Sequence, residues 1–230
     1  QRIVEALRAT VLARPASQRI RVVHIGGGGL SLPRYVAAVR PRTAQIVIEP
    51  DSALVAAVRE QLPLPRNSGI KIRELDGRTA AVQLPDDYAD ALIVDAFRGA
   101  VVPAELATLE WFAELARIVR GDGVMVMNLG DRAPFDWGRR CLAGIAATFG
   151  QVAVSAEIPV WKGRRYGNLV AVAASDGLPL AQLERDLARA PFPYRLLATG
   201  GLTAWLGGAP AFTDEDSADS LDPVAHGWLS

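Results

Sequence analysis

Residues Arg21 to Glu49, RVVHIGGGGLSLPRYVAAVRPRTAQIVIE, read as strand, glycine turn, helix and strand, with a carboxylate closing the second strand. Val22, Val23 and Ile25 form a short apolar run, and Gly26, Gly27, Gly28 and Gly29 follow directly. Pro33 opens a segment in which Tyr35, Val36 and Val39 recur at helical spacing. Proline suits a first helical turn, where its missing N–H had no intrahelical partner. Ile46-Val47-Ile48 is the second run, and Glu49 ends it. A turn without β-carbons lets backbone amides approach a ligand, and the helix behind it adds partial positive charge. An acid at the end of the next strand can accept both hydroxyls of a ribose. In the dinucleotide fingerprint that acid lies roughly twenty residues past the glycines, which is the spacing from Gly28 to Glu49. The third glycine of that fingerprint would fall on Ser31, and glycine clusters also make bare turns. With the proline, the helical spacing and Glu49 added, the stretch points to an adenosine-containing ligand across the carboxyl ends of adjacent strands.

The rest of the composition fits one domain around that unit. At 230 residues with half of them hydrophobic, the chain can bury a large core. Basic and acidic residues balance at 25 each, so no global field recruits nucleic acid or a membrane surface. One cysteine, Cys141, excludes an internal disulfide, and two distant histidines, His24 and His226, argue against a Cys/His metal site. No stretch approaches membrane-span length and no secretory signal is visible, so a cytoplasmic protein is expected. The chain opens on Gln1 inside a helical pattern, which leaves room for residues before it.

Read in order, residues 1–20 are an N-terminal helix and lead-in, with Ile3, Leu7 and Val11 on one face. After Glu49, Pro50-Asp51-Ser52 caps a helix carrying Leu54, Val55 and Val58. Ile70 to Glu74 is a third strand and Ala91 to Val94 a fourth, ending at Asp95. Pro103 to Val119 is a helix, Val124 to Asn128 a fifth strand, and Asp136 to Phe149 another helix. The runs Gln151 to Ile158 and Asn168 to Ala174 are separated so briefly that they suit an antiparallel pair. Continuous apolar runs fit parallel strands covered on both faces. The expected fold is α/β, mostly parallel, with residues 21–175 as the ligand-binding domain. Residues 176–230 are expected to add a C-terminal helix and a solvated acidic tail, Asp214 to Asp222.

Three carboxylates, Glu49, Asp76 and Asp95, fall at or just past strand ends, which in an open parallel sheet share one edge. Glu49 suits ribose hydroxyls, and Asp76 with Gly77 suits an adenine amino group. Asp95 comes off the strand on the other side of the first, near the reactive end of a ligand. Each acid could also cap the helix that follows it. Asp95 is expected among buried neighbours, where an ionised carboxylate needs a partner.

The order IGGGG-LPRY, VIEPD, LDGR, IVDAF-G-VPAEL and G-VMVMN resembles the spermidine synthases, or polyamine aminopropyltransferases, over about residues 20–175. It is nearest a divergent branch without the usual N-terminal β-domain. The resemblance implies the Rossmann-like class I S-adenosylmethionine-dependent methyltransferase fold: a seven-stranded sheet, helices on both faces, and an antiparallel C-terminal hairpin. It implies S-adenosylmethionine or its decarboxylated form as donor, no metal, an amine or other nucleophile as acceptor, and a homodimer. Carried over by residue, Gly26, Gly27 and Gly28 lie beneath the donor's arm. Glu49 with Pro50 takes the ribose, Asp76 with Gly77 the adenine side, and Asp95 with Ala96 the reacting end. Asp95 accepts the attacking amine's proton, a role a carboxylate can fill because an ammonium is no nucleophile.

Two positions depart from the family. Gly29 stands where an aspartate usually holds the donor's amine, and Arg98 stands where a second acid usually binds the diamine. A cation at that contact would cost several kcal/mol against a dication. Three readings follow: aminopropyl transfer with an altered diamine site, methyl transfer on the same scaffold, and a non-catalytic nucleoside- or partner-binding descendant. Among other residues, His24 reads as a core histidine bonded to backbone, and Trp161 to Tyr166 as an exposed hairpin loop. Trp111 and Phe112 read as packing.

Overall fold

A computed structural model describes residues 2–225 and 227; His226 lies outside the described residues. One eight-stranded sheet runs through the molecule in the order β3-β2-β1-β4-β5-β7-β6-β8. The strands are β1 Arg21–Ile25, β2 Ala44–Ile48, β3 Ile70–Arg73, β4 Ala89–Val94, β5 Val119–Asp131, β6 Gln151–Glu157, β7 Gly167–Ala174 and β8 Tyr194–Ala198. β3, β2, β1, β4 and β5 are parallel neighbours, and β7 inserts antiparallel between β5 and β6. A mostly parallel sheet closed by that hairpin is the expected arrangement.

Alternation along each central strand sends side chains to two cores. On one face Val23, Ile25, Leu92, Val94, Met125 and Met127 meet Trp111, Phe112 and Leu115 of α5 (Leu109–Ile118), and Trp137 and Leu142 of α6 (Asp136–Thr148). On the other, Val22, Ala91, Ile93, Val124 and Val126 meet Ile3 and Leu7 of α1 (Arg2–Ala9) and Val36 of α2 (Ser31–Val39). Trp111 and Phe112 are therefore core, each worth roughly 2–3 kcal/mol of burial. Helices on both faces explain why these strands read as unbroken apolar runs.

The remaining helices are α3 (Ser52–Gln61), α4 (Gly77–Ala81), α7 (Ile158–Trp161), α8 (Leu180–Ala188) and α9 (Thr199–Leu206). Several expectations need correction. The sheet has eight strands rather than seven, because Tyr194 to Ala198, framed by Pro193 and a glycine-containing helix, pairs with β6 as an edge strand. The helix expected from Pro103 starts as a 3-10 turn, Ala104–Leu106, and then resumes at Leu109. His24 is buried as expected, but its Nε2 meets the Gln45 side chain (Oε1, 2.9 Å) rather than backbone. The hairpin connection is not simply an exposed loop: Trp161 packs on Phe135 and Trp205, and its indole N–H donates to the Arg195 carbonyl at 3.0 Å.

The acidic tail is docked rather than free in solvent. Arg78 donates to both oxygens of Asp214, at 2.8 and 2.5 Å, and Thr108 Oγ1 donates to Asp214 at 2.7 Å. The Arg78 guanidinium holds the Asp214 carboxyl below its usual range. Further along, Ser220 and Val102 exchange hydrogen bonds (3.0 and 2.8 Å), and Asp219 accepts from the Ala104 amide at 2.8 Å. The tail thus fastens the segment that follows β4.

Candidate functional site

Gly26 makes the first turn possible. Its φ is +90°, and a β-carbon there would lie 2.3 Å from the Asp95 carbonyl oxygen, so the ends of β1 and β4 touch only through a glycine. Gly28 has φ +46°, and a β-carbon on it or on Gly29 would meet nothing within 4 Å. Those two glycines face open space, where a ligand can approach the main chain.

Gly28, though not Gly29, borders a cavity of about 620 Å³ along the carboxyl edge of the parallel strands. Gly26, Gly28, Glu49, Pro50, Asp76, Gly77, Asp95 and Ala96 all line it, while Gly27 sits behind, its missing β-carbon position pressed on Val47. Its size suits a nucleoside-scale molecule. Asp51, Leu54 and Leu106, which the sequence pattern marks only as helix residues, also line it.

Glu49 is held tightly. Its Oε2 accepts from the Gly27 and Gly28 amides (2.9 and 3.1 Å), and its Oε1 from the Asp51 amide at 3.1 Å. A carboxylate offers about four lone-pair directions, so this network leaves room for one further donor on Oε1. The expectation that Glu49 accepts both ribose hydroxyls therefore needs one glycine amide to turn away. Asp76 combines the two roles weighed for it: Oδ1 accepts from the Thr79 amide at 2.9 Å as the N-cap of α4, and the residue also lines the cavity. The bonds to Thr79 hold its carboxyl below the ordinary range.

Asp95 is exposed, not buried as expected: Val94 before it is buried and Ala96 after it packs partly on the core, while its own side chain lies on the open edge. Its Oδ1 accepts from Asn128 Nδ2 at 3.0 Å. Asn128 follows Met127, the last β5 residue paired with β4, and its own Oδ1 is buried without a partner among the described residues. Glu157, the last residue of β6, is an acid at a strand end of the kind the pattern marks, whereas Asn128 is an amide within β5 and carries no such signal. Asp95, Phe97, Asn128 and Glu157 also line a second cavity of about 570 Å³, together with Arg2, Arg165, Tyr166 and Tyr194.

Arg98 is not in that second cavity. It lines the first, with its guanidinium 2.5 Å from Glu105 Oε1. The cation expected at an acceptor's dock stands instead on the glycine-turn side, already paired. Among the described residues no His, Cys, Asp and Glu group could hold a metal ion, and no helix is long and apolar enough to cross a membrane.

No protein-family model matches the chain. A probable spermidine synthase from Corynebacterium glutamicum has the same fold with a TM-score of 0.83, at 32% identity over 93% of this chain and 78% of that one. A polyamine aminopropyltransferase from Vibrio vulnificus is 25% identical over 122 residues, 52% of this chain but 40% of that protein. This chain thus spans well under two thirds of that relative. Human methyltransferase-like protein 13, solved in complex with SAH, shares the fold at a TM-score of 0.64 and 17% identity, over 93% of this chain and 92% of that one.

Proposed function

Because this chain belongs to the spermidine synthase family, we propose that it is a transferase that holds a decarboxylated S-adenosylmethionine donor in the first cavity and passes its aminopropyl group to an amine in the second. The observation that carries this reading is that one carboxylate, Asp95, lines both cavities. A group there can reach the atoms of two molecules meeting at the junction.

In the reaction the acceptor nitrogen's lone pair attacks the propyl carbon bonded to the donor's sulfonium. The C–S bond breaks with its electron pair going to sulfur, which leaves neutral methylthioadenosine. Asp95 accepts the proton that the amine sheds. Asn128, bonded to one Asp95 oxygen, fixes the carboxylate and leaves the other oxygen for the amine. Orienting two reactants so that they collide in line supplies much of the acceleration in such a site. Glu49 and the glycine amides would hold the ribose, and Asp76 with Gly77 the base. Gly26, Gly27 and Gly28 would underlie the donor's arm, and Pro50 and Ala96 would complete the walls.

One observation favours a second reading, methyl transfer from S-adenosylmethionine. Gly29 presents no side chain where the family's aspartate meets the donor's amine, so the selection for a decarboxylated donor is weakened. Calorimetric titration with methylthioadenosine, S-adenosylmethionine and its decarboxylated form separates the readings. Aminopropyl transfer predicts that the decarboxylated donor binds more tightly than S-adenosylmethionine, and the reverse order selects methyl transfer. Asp95→Asn should retain nucleoside affinity while transfer falls by about 10² or more; equal loss of both would make Asp95 a binding residue only.

A further inference from the structure

We propose that the second cavity accepts amines bearing a single positive charge, and that Arg165 fills the place a diamine's second ammonium would need. The inference rests on the reading that the acceptor docks beside Asp95.

Four charged side chains line this cavity: Arg2, Asp95, Glu157 and Arg165. Three of them are compensated within the protein. Arg165 Nη2 donates to Glu157 Oε2, and the Tyr194 hydroxyl donates to Glu157 Oε1 at 3.2 Å. Burial, with the nearby Glu157, keeps the Tyr194 hydroxyl above its ordinary range, so it remains a proton donor. Arg2 pairs with Glu5, and its guanidinium carbon stands 4.3 Å from the centre of the Tyr194 ring.

Asp95 differs from the other three. Its Oδ1 accepts from the neutral Asn128 amide, and among the described residues no basic side chain pairs with it. The cavity therefore offers one uncompensated carboxylate, at its junction with the nucleoside side. An ammonium entering reactive end first meets that charge. A second ammonium on the same molecule would find Glu157 with both oxygens engaged and a guanidinium against it. It would have to expel Arg165 or accept like-charge contact, and either cost weakens binding. An acceptor with an uncharged far end meets no such penalty.

The Arg165 side chain is 48% exposed, so its replacement can alter the cavity without touching the core. The test titrates protein loaded with methylthioadenosine with 1-aminobutane, 1,4-diaminobutane and 4-aminobutanoate. The parent protein should bind 1-aminobutane about tenfold more tightly than 1,4-diaminobutane. Arg165→Gln releases Glu157 and should shift that ratio toward the diamine by about tenfold. Glu157→Gln leaves Arg165 uncompensated and should shift preference toward 4-aminobutanoate. Equal or better binding of the diamine by the parent overturns the proposal, as do ratios unchanged in both variants. If methylthioadenosine binds but no amine does, the cavity is not an acceptor site and the proposal fails alone. If methylthioadenosine itself fails to bind, the nucleoside reading fails first and takes this one with it.

Discussion

Replacing Gly26 by alanine tests whether the glycine turn exists to let two strand ends meet. The new β-carbon would stand 2.3 Å from the Asp95 carbonyl oxygen and 2.9 Å from Ala96 Cα, about 1.1 and 0.5 Å inside ordinary contact at 3.4 Å. Neither atom can swing away as a side chain would. The Asp95 amide donates to the Ile25 carbonyl at 2.9 Å, and the Gly26 amide to the Ile48 carbonyl at 2.9 Å. The strained φ costs roughly 1 kcal/mol and the forced separation of packed backbone roughly 1–3 more. Gly26→Ala should therefore lose about 3 kcal/mol in urea unfolding. If it folds, Asp95 is displaced by about 1 Å, enough to reduce transfer by about 10². Gly29→Ala is the control, since nothing lies within 4 Å of its β-carbon position; it should change stability by less than about 0.5 kcal/mol. Equal stability of the two variants would refute the reasoning.

Two buried groups should give opposite pH slopes. Burial pushes His24 down to about 4, so between its ordinary 6.5 and that value the unfolded chain binds more protons, and stability falls as pH drops. Burial raises Asp131 to about 6 despite amide bonds from Arg132 and Gly138 at 2.7 Å, with Asp136 adding to the rise and Arg139 opposing it. There the folded chain binds more protons, so stability grows as pH drops from 6 toward 3.8. Urea unfolding at pH 7 and 4.5 should show His24→Asn gaining about 2 kcal/mol on acidification relative to the parent, and Asp131→Asn losing a similar amount; parallel profiles would contradict both assignments. Asp214→Ala should cost about 1 kcal/mol and expose the tail to limited proteolysis, with nucleoside affinity falling a few-fold because Arg78 lines the first cavity; an unaltered cleavage pattern would mean that the tail is fastened elsewhere.

Local pattern reported local facts well. Val22 to Ile25, the glycines, Pro33 and the run closing at Glu49 are contiguous, so their strand–turn–helix–strand order was legible. Acids at strand ends could be placed on one edge because parallel strands share it. What escaped the reading depends on distant partners. The Arg78–Asp214 pair joins residues 136 apart, and no periodicity reports such a bond. Composition made the tail look solvated, although its carboxylates accept from Arg78, Thr108 and Ala104. The strand Tyr194 to Ala198 is short and lies beside prolines, so only its pairing with β6 identifies it. Arg98 follows Asp95 by three residues, yet it lines the first cavity and pairs with Glu105. Sequence distance from the candidate base was a poor guide to which cavity a side chain enters.

A crystal structure grown with methylthioadenosine is the most direct measurement. The account predicts the ribose against Glu49, the base beside Asp76 and Gly77, and the sulfur directed at Asp95 where the two cavities join. Density for the nucleoside anywhere else, with Glu49 still holding all three amides, would contradict it.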